Sequence, residues 1–249
     1  MMRLRMVLFA IGAAGIAALV LIGASGLPPV GGYHGAYGEV LNSVAVGERK
    51  ATDVVTAVNF DYRALDTLGE EFILFTSVLA VATVLRKQKD EREGAPEDEA
   101  RSRAAPLPGD AVRILGVALV PITVSFGLCN VAHGPVSPGG GFQGGVVLAS
   151  VPLVVYLCAD VETFQRIAPR PLSKLGEAIG AAGYVLSGVL GLVLSKAFLE
   201  NVLPLGEPAD VFSSGTIFLL NLTVGLAVAA GFVELLDAFL EEALRKEPA

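Results

Sequence analysis

Tryptophan is absent from this 249-residue chain, and cysteine, histidine and charge are scarce. Charged residues make up 17% of it, against about 25% in ordinary soluble domains. The charges are also segregated, leaving long stretches with none, and mean hydropathy is +0.63. An ordinary soluble domain with one large core is thereby excluded, and a polytopic membrane protein is indicated. There are two cysteines, Cys129 and Cys158, and no C-x-x-C, so no zinc or iron–sulfur site is indicated. The spans below put them at opposite ends of neighbouring helices, far beyond the ~7 Å Cα separation that a disulfide tolerates. They read as apolar packing residues. The net charge of −7 argues against nucleic acid, which calls for a basic face. His34 and His133 fall in separate loops and read as ordinary loop residues, since a structural zinc site wants four ligands. No metal and no cofactor are expected.

What is abundant is apolar sequence. Residues 6–27, 68–85, 112–130, 142–159, 175–195 and 214–236 form six apolar stretches. Each holds about the 17–25 residues needed to cross ~30 Å of hydrocarbon as a helix. The expected fold is all-α, a multi-pass protein of a prokaryotic cytoplasmic membrane with about six transmembrane helices. The first stretch also fits a signal peptide, with Arg3 and Arg5 ahead of it and Ala24-Ser25-Gly26 after it. Its apolar part is longer than the usual 7–15 residues or so, which favours a retained helix. With the N-terminus inside, 14 of the 18 Lys and Arg residues lie on the cytoplasmic side, so both termini are expected there.

Between the second and third spans runs RKQKDEREGAPEDEARSRAAPLPGD, charged, poor in large apolar residues and closed by a Pro/Gly cluster. It cannot bury a core and reads as a flexible cytoplasmic linker. The expected organisation is a two-helix segment over 1–87, the linker over 88–110 and a four-helix domain over 111–249.

Residues 137–145 read SPGGGFQGG. Gly139, Gly141 and Gly144 fit G-x-G-x-x-G, but no strand pattern precedes them and no Gly-Lys-Ser/Thr follows, so a nucleotide loop is set aside. A turning backbone at the start of a helix remains, with Pro138 stiffening the entry and Gly144-Gly145 offering a smooth packing face. Such backbone at membrane depth is either packed in protein or borders a wet cavity, and both readings stay open.

With its flanks, AHGPVSPGGGFQGGVVLAS resembles the P-G-G-G-F-x-G-G hallmark of the MnhB family, the B subunits of Mrp-type sodium/proton antiporters. Pro138, Gly139, Gly140, Gly141, Phe142, Gly144 and Gly145 carry the match, which extends over about 108–249. The family often has Gly-His three residues before the Pro; here Pro135 stands at the His position and His133 lies two residues earlier. TDVVTAVNFDYRALDTLGEE (52–71) resembles the C-terminal part of the antiporter A subunit, or the E subunit of membrane-bound hydrogenases. Thr52, Asp61, Arg63, Asp66, Thr67, Gly69 and Glu70 fall in step, while Asp53, Thr56 and Ala64 depart. The resemblance implies a non-catalytic membrane subunit of an Mrp-type antiporter, fused from E-like and B-like parts. Its partners would be other membrane subunits, the lipid bilayer, sodium ions and protons. The alternative is the ion-translocating subunit of a redox-driven complex such as a membrane-bound hydrogenase.

Ion translocation needs ionisable groups inside the membrane, where they are expensive. No Lys, Asp, Glu or His falls near the middle of any expected span. The nearest stand at span ends: Glu70, Glu71, Glu177, Lys196, Glu234 and Asp237. On this reading the chain carries no full proton path alone, and partner subunits supply the mid-membrane charges. The best candidate cluster is Asp61, Arg63, Asp66, Glu70 and Glu71; on a helix Arg63, Asp66 and Glu70 share one face. It fits either a cation or proton relay or a structural ion pair. Tyr184 and Ser187 read as interhelical hydrogen-bonding residues. The Gly12/Gly15, Gly180/Gly183, Gly188/Gly191 and Gly225/Gly231 pairs suit close helix contact in lipid.

Overall fold

The computed structural model describes residues 2–27, 35–85, 108–159 and 161–244. Most of the expected linker and His34 lie outside the described residues. The described residues form helices and no strands: α1 (Met2–Ser25), α2 (Ala36–Arg49), α3 (Val54–Ala57), α4 (Ala64–Val84), α5 (Asp110–Ala132), α6 (Gly141–Cys158), α7 (Val161–Ile167), α8 (Arg170–Ser195) and α9 (Thr216–Leu244). The all-α expectation is borne out. Five of these, α4, α5, α6, α8 and α9, are long and apolar enough to cross a membrane, and 10–25 within α1 is a shorter apolar stretch. The chain divides into two compact units, Met1–Val40 and Leu41–Ala249. The first holds α1, whose Gly12 and Gly15 have nothing within reach of an added methyl; the second holds everything below.

Helix α9 is the centre of the second unit. Of its most apolar window 61% is buried, against 17–28% for the other four long helices. Helices α8, α6, α4 and α5 pack around it. Ile217, Leu220, Val224 and Val228 of α9 form the core, with Phe60, Tyr184 and Leu199 from other elements. Glycines let the neighbours come this close: a methyl at Gly145 of α6 would stand 2.8 Å from the Gly225 carbonyl oxygen, and one at Gly180 of α8 would strike Ala227. Gly183, Gly188, Gly191 and Gly231 likewise lie against neighbouring atoms. Large apolar side chains such as Phe72, Ile73, Val117, Ile122 and Val193 stay exposed on the outer faces, which suits contact with lipid or other chains.

Helices α5 and α6 are antiparallel. Cys158 packs over Gly116 near one end of the pair, and Cys129 stands at the other. One end of the unit thus carries the connections 133–140 and 196–215; it is called the loop end here. The opposite end carries Arg170 and the last turns of α9.

Candidate functional site

The glycine loop is a knot that joins three helices. Gly139 and Gly140 take φ of 148° and 125°, in the region that favours glycine. Helix α6 then starts without a side-chain cap of its own. Its first amides are instead satisfied from neighbouring helices: Gly140 N donates to Asn130 Oδ1 of α5 at 3.1 Å, and Gly141 N donates to Asn221 Oδ1 of α9 at 2.8 Å. Gly141, Gly144 and Gly145 are buried against α9 and α5, Phe142 packs on the core edge, and Pro138 is exposed. These glycines thus lie in close packing with α5 and α9. His133 ends α5, with Nδ1 3.0 Å from the Cys129 carbonyl oxygen.

The two recognised motifs meet at this loop. Thr52 Oγ1 donates to the Val136 carbonyl at 2.6 Å, and Asp53 N donates to the Pro135 carbonyl at 3.1 Å. Asp53 caps α3, accepting from Val55 N at 3.1 Å and from Thr56 Oγ1 at 2.8 Å. Two of the residues that depart from the family pattern therefore form one local pair.

After α3 the chain widens into a single π-helical turn, Val58–Tyr62, closed by Arg63 N donating to the Val58 carbonyl at 2.8 Å. The Asn59 carbonyl accepts from Thr67 Oγ1 at 2.7 Å, and the Ala64 carbonyl accepts from the buried Tyr184 hydroxyl at 2.9 Å. The same turn aims Asp61 inward. It pairs with Arg49 at 3.0 Å and accepts from Asn201 Nδ2 at 3.0 Å, while Asn201 Oδ1 accepts from Thr216 N at the start of α9. Burial pushes the Asp61 carboxyl above its ordinary value, and Asn201 and Arg49 offset part of that. The Tyr62 phenol is pushed up to about 12, first by burial and then by its hydrogen bond to Glu48.

The expected face of Arg63, Asp66 and Glu70 exists. Arg63 and Asp66 form an ion pair that is more than half exposed, and Glu70 is exposed beside it. The next residue, Glu71, turns the other way and is buried between α4 and its neighbours, with Oε1 unpartnered. Below it toward the Arg170 end lie Glu177 of α8 and Glu234 of α9, each with a buried Oε1 that also lacks a partner. Glu71 is close enough to Glu177 for their charges to repel, and the carboxyls of Glu177 and Glu234 approach within hydrogen-bond reach. The seam ends at Asp237, buried and ion-paired with Arg170, with Lys174 near Glu234.

The helix bounds set how far in these groups stand. Glu71 and Glu177 each lie seven residues, about 10 Å, inside the first residue of their helices. Glu234 stands ten residues, about 15 Å, before the end of α9. Glu177 and Glu234 therefore stand nearer the Arg170 end of their helices, and Glu71 approaches Glu177 from α4. Ser187, by contrast, bonds locally to the Gly183 carbonyl at 2.8 Å and does not join this seam. Among the described residues no group of three or more His, Cys, Asp or Glu is placed to hold a metal ion.

An all-helical, multi-pass membrane protein, with one buried helix gripped through glycines and a polar seam beside it, is the class that fold and site define. The chain belongs to the MnhB-related family: residues 111–234 match the family described as a domain related to the MnhB subunit of Na+/H+ antiporter. An uncharacterized protein of Methanocaldococcus jannaschii is 30% identical over 209 residues, covering 77% of this chain and 78% of its own length. A chain of the membrane-bound sulfane sulfur reductase, an archaeal respiratory membrane complex, superposes with a TM-score of 0.70 at 26% identity, over 95% of this chain and 98% of that one. A chain of the Mrp complex from Dietzia sp. DQ12-45-1b gives 0.73 at 25% identity, over 97% of this chain but 26% of that one. The chain is thus a multi-pass membrane protein of the Mrp-related kind, a membrane subunit of an Mrp-type antiporter or of a related complex.

Proposed function

We propose that this chain is a non-catalytic, ion-handling subunit of a multisubunit sodium/proton antiporter of the Mrp type, assembled with other membrane subunits in the lipid bilayer. The observation that carries the reading is the MnhB-related domain over 111–234. The exposed apolar faces of α4, α5 and α8 support subunit contacts as well as lipid. The lysine and arginine distribution supports both termini in the cytoplasm, with the glycine loop and Asp61 on the outer side. On this topology the two-helix segment 1–87 and the domain 111–249 are joined by a cytoplasmic linker.

A second reading has its own support. The match to the sulfane sulfur reductase chain covers both chains almost end to end, which favours a redox-driven complex whose chemistry lies in other subunits. A mild-detergent pull-down from the native membrane, followed by mass spectrometry, separates them. Antiporter-like subunits without redox proteins are the expected result. Iron–sulfur or nickel partners would move the chain to the redox-driven class. A chain that emerged alone and still exchanged sodium for protons would overturn both readings.

A further inference from the structure

We propose that the seam between α4, α8 and α9 is a proton wire running through this chain, in which Glu177 and Glu234 share a proton and Glu71 is the next station. The proposal deepens the ion-handling reading above and rests on it.

Three observations meet here. The first is burial without partners: Glu71 and Glu177 are 5% and 8% exposed, and Oε1 of each has no hydrogen bond. Ionisable groups in such places are costly, and an apolar residue of similar volume would serve packing better. Recurrence on three helices facing one seam therefore points to use rather than to packing. The second is spacing. Gly231 of α9 lies directly beside Glu177, where an added methyl would stand 3.3 Å from Oε1, so glycine leaves the carboxyl its room next to Glu234 one turn on. The third is continuity at both ends. Toward the loop end, the Thr67 and Tyr184 hydroxyls stand near Glu71, with Thr67 bonded to the Asn59 carbonyl. Toward the other end, Glu234 faces Lys174, Arg170 and Asp237.

The cargo follows from the arrangement. A dehydrated metal cation needs several oxygens converging on one point, and no three carboxylates of the described residues do so. Groups strung out in file suit a proton, which needs one acceptor at a time. In each step an O–H bond breaks on one carboxyl and forms on the next, directly or through one water. Glu177 passes its proton to Glu71, and Glu234 then reprotonates Glu177. No electron changes hands, and one positive charge advances per step.

The test uses the intact complex in sealed vesicles, with proton and sodium fluxes read separately. Glu177→Gln and Glu71→Gln are expected to lower proton flux by at least about tenfold with subunit composition unchanged. Glu177→Asp, which keeps an acid, should restore a measurable part, and Glu162→Gln, at an exposed position of α7, should leave flux as it was. Unchanged flux in both Gln variants of an intact complex would overturn the wire while leaving membership of the complex standing. A chain found in no complex would instead remove the reading beneath it. Should a Gln variant fail to assemble, infrared spectra decide: a protonated-carboxyl band at neutral pH that shifts in Glu177→Asp supports the shared proton, and a spectrum indifferent to that change overturns it.

Discussion

Two polar regions lie within the apolar second unit, and they are finished differently. In the glycine knot the first amides of α6 have partners, supplied by Asn130 and Asn221 from two other helices. In the α4–α8–α9 seam, buried carboxylate oxygens of Glu71, Glu177 and Glu234 have none. The first arrangement satisfies polar groups that the backbone cannot avoid exposing. The second adds carboxyls whose buried Oε1 atoms have no hydrogen-bond partner. Satisfied polarity marks architecture, and unsatisfied polarity marks chemistry.

That contrast is open to attack by mutation. The largest effect is expected in the knot: Gly145→Leu drives a side chain into the α9 backbone and should cost about 3 kcal/mol or more, read as loss of the assembled complex in native gels. Asn221→Ala leaves the buried Gly141 amide without its partner and should cost about 1–3 kcal/mol in thermal unfolding. Tyr184→Phe removes a buried hydrogen bond to the Ala64 carbonyl and should cost about 1 kcal/mol. In the seam the sign reverses: Glu71→Leu should leave thermal stability unchanged or raised, because it removes an unpaired buried acid. A seam variant that destabilised as much as the knot variants would erase the distinction.

The smallest effect concerns pH. Burial raises the Asp61 carboxyl above its ordinary 3.8, so the folded chain holds that proton to higher pH than the unfolded chain does. The stability it confers is therefore complete below the ordinary value and is lost as pH rises through the raised one. Arg49, Glu200 and Asn201 are the groups that face it. The melting temperature of the wild type should gain on that of Asp61→Asn as pH falls through this window, and a difference independent of pH would count against the assignment.

Much of the architecture was legible in advance. Long uncharged stretches dictate helices in a bilayer, since no other open structure satisfies its own backbone there. The glycine motif announced a tight turn at a helix start, because few other residues accept the backbone of Gly139 and Gly140. Its partners were not legible: Asn221 stands 80 residues away in sequence, and only the packing of α9 on α6 makes it a cap. Which way each charge of the candidate cluster faces was not legible either. Arg63, Asp66 and Glu70 do share a face, but it is an exposed one, and Glu71 faces the interior. Glu177 and Glu234 were noted as span-end charges and not as parts of a site.

The sequence by itself determined the membrane class, the helices and the family, because composition, hydropathy and a contiguous glycine motif are properties of neighbours along the chain. Only the tertiary structure decided which charges meet. Depth and facing depend on where each helix starts and how antiparallel helices slide against α9, and those offsets are set by glycine-to-backbone contacts between residues far apart in sequence. Carboxylates that stand near opposite ends of their helices thereby come to lie in one file.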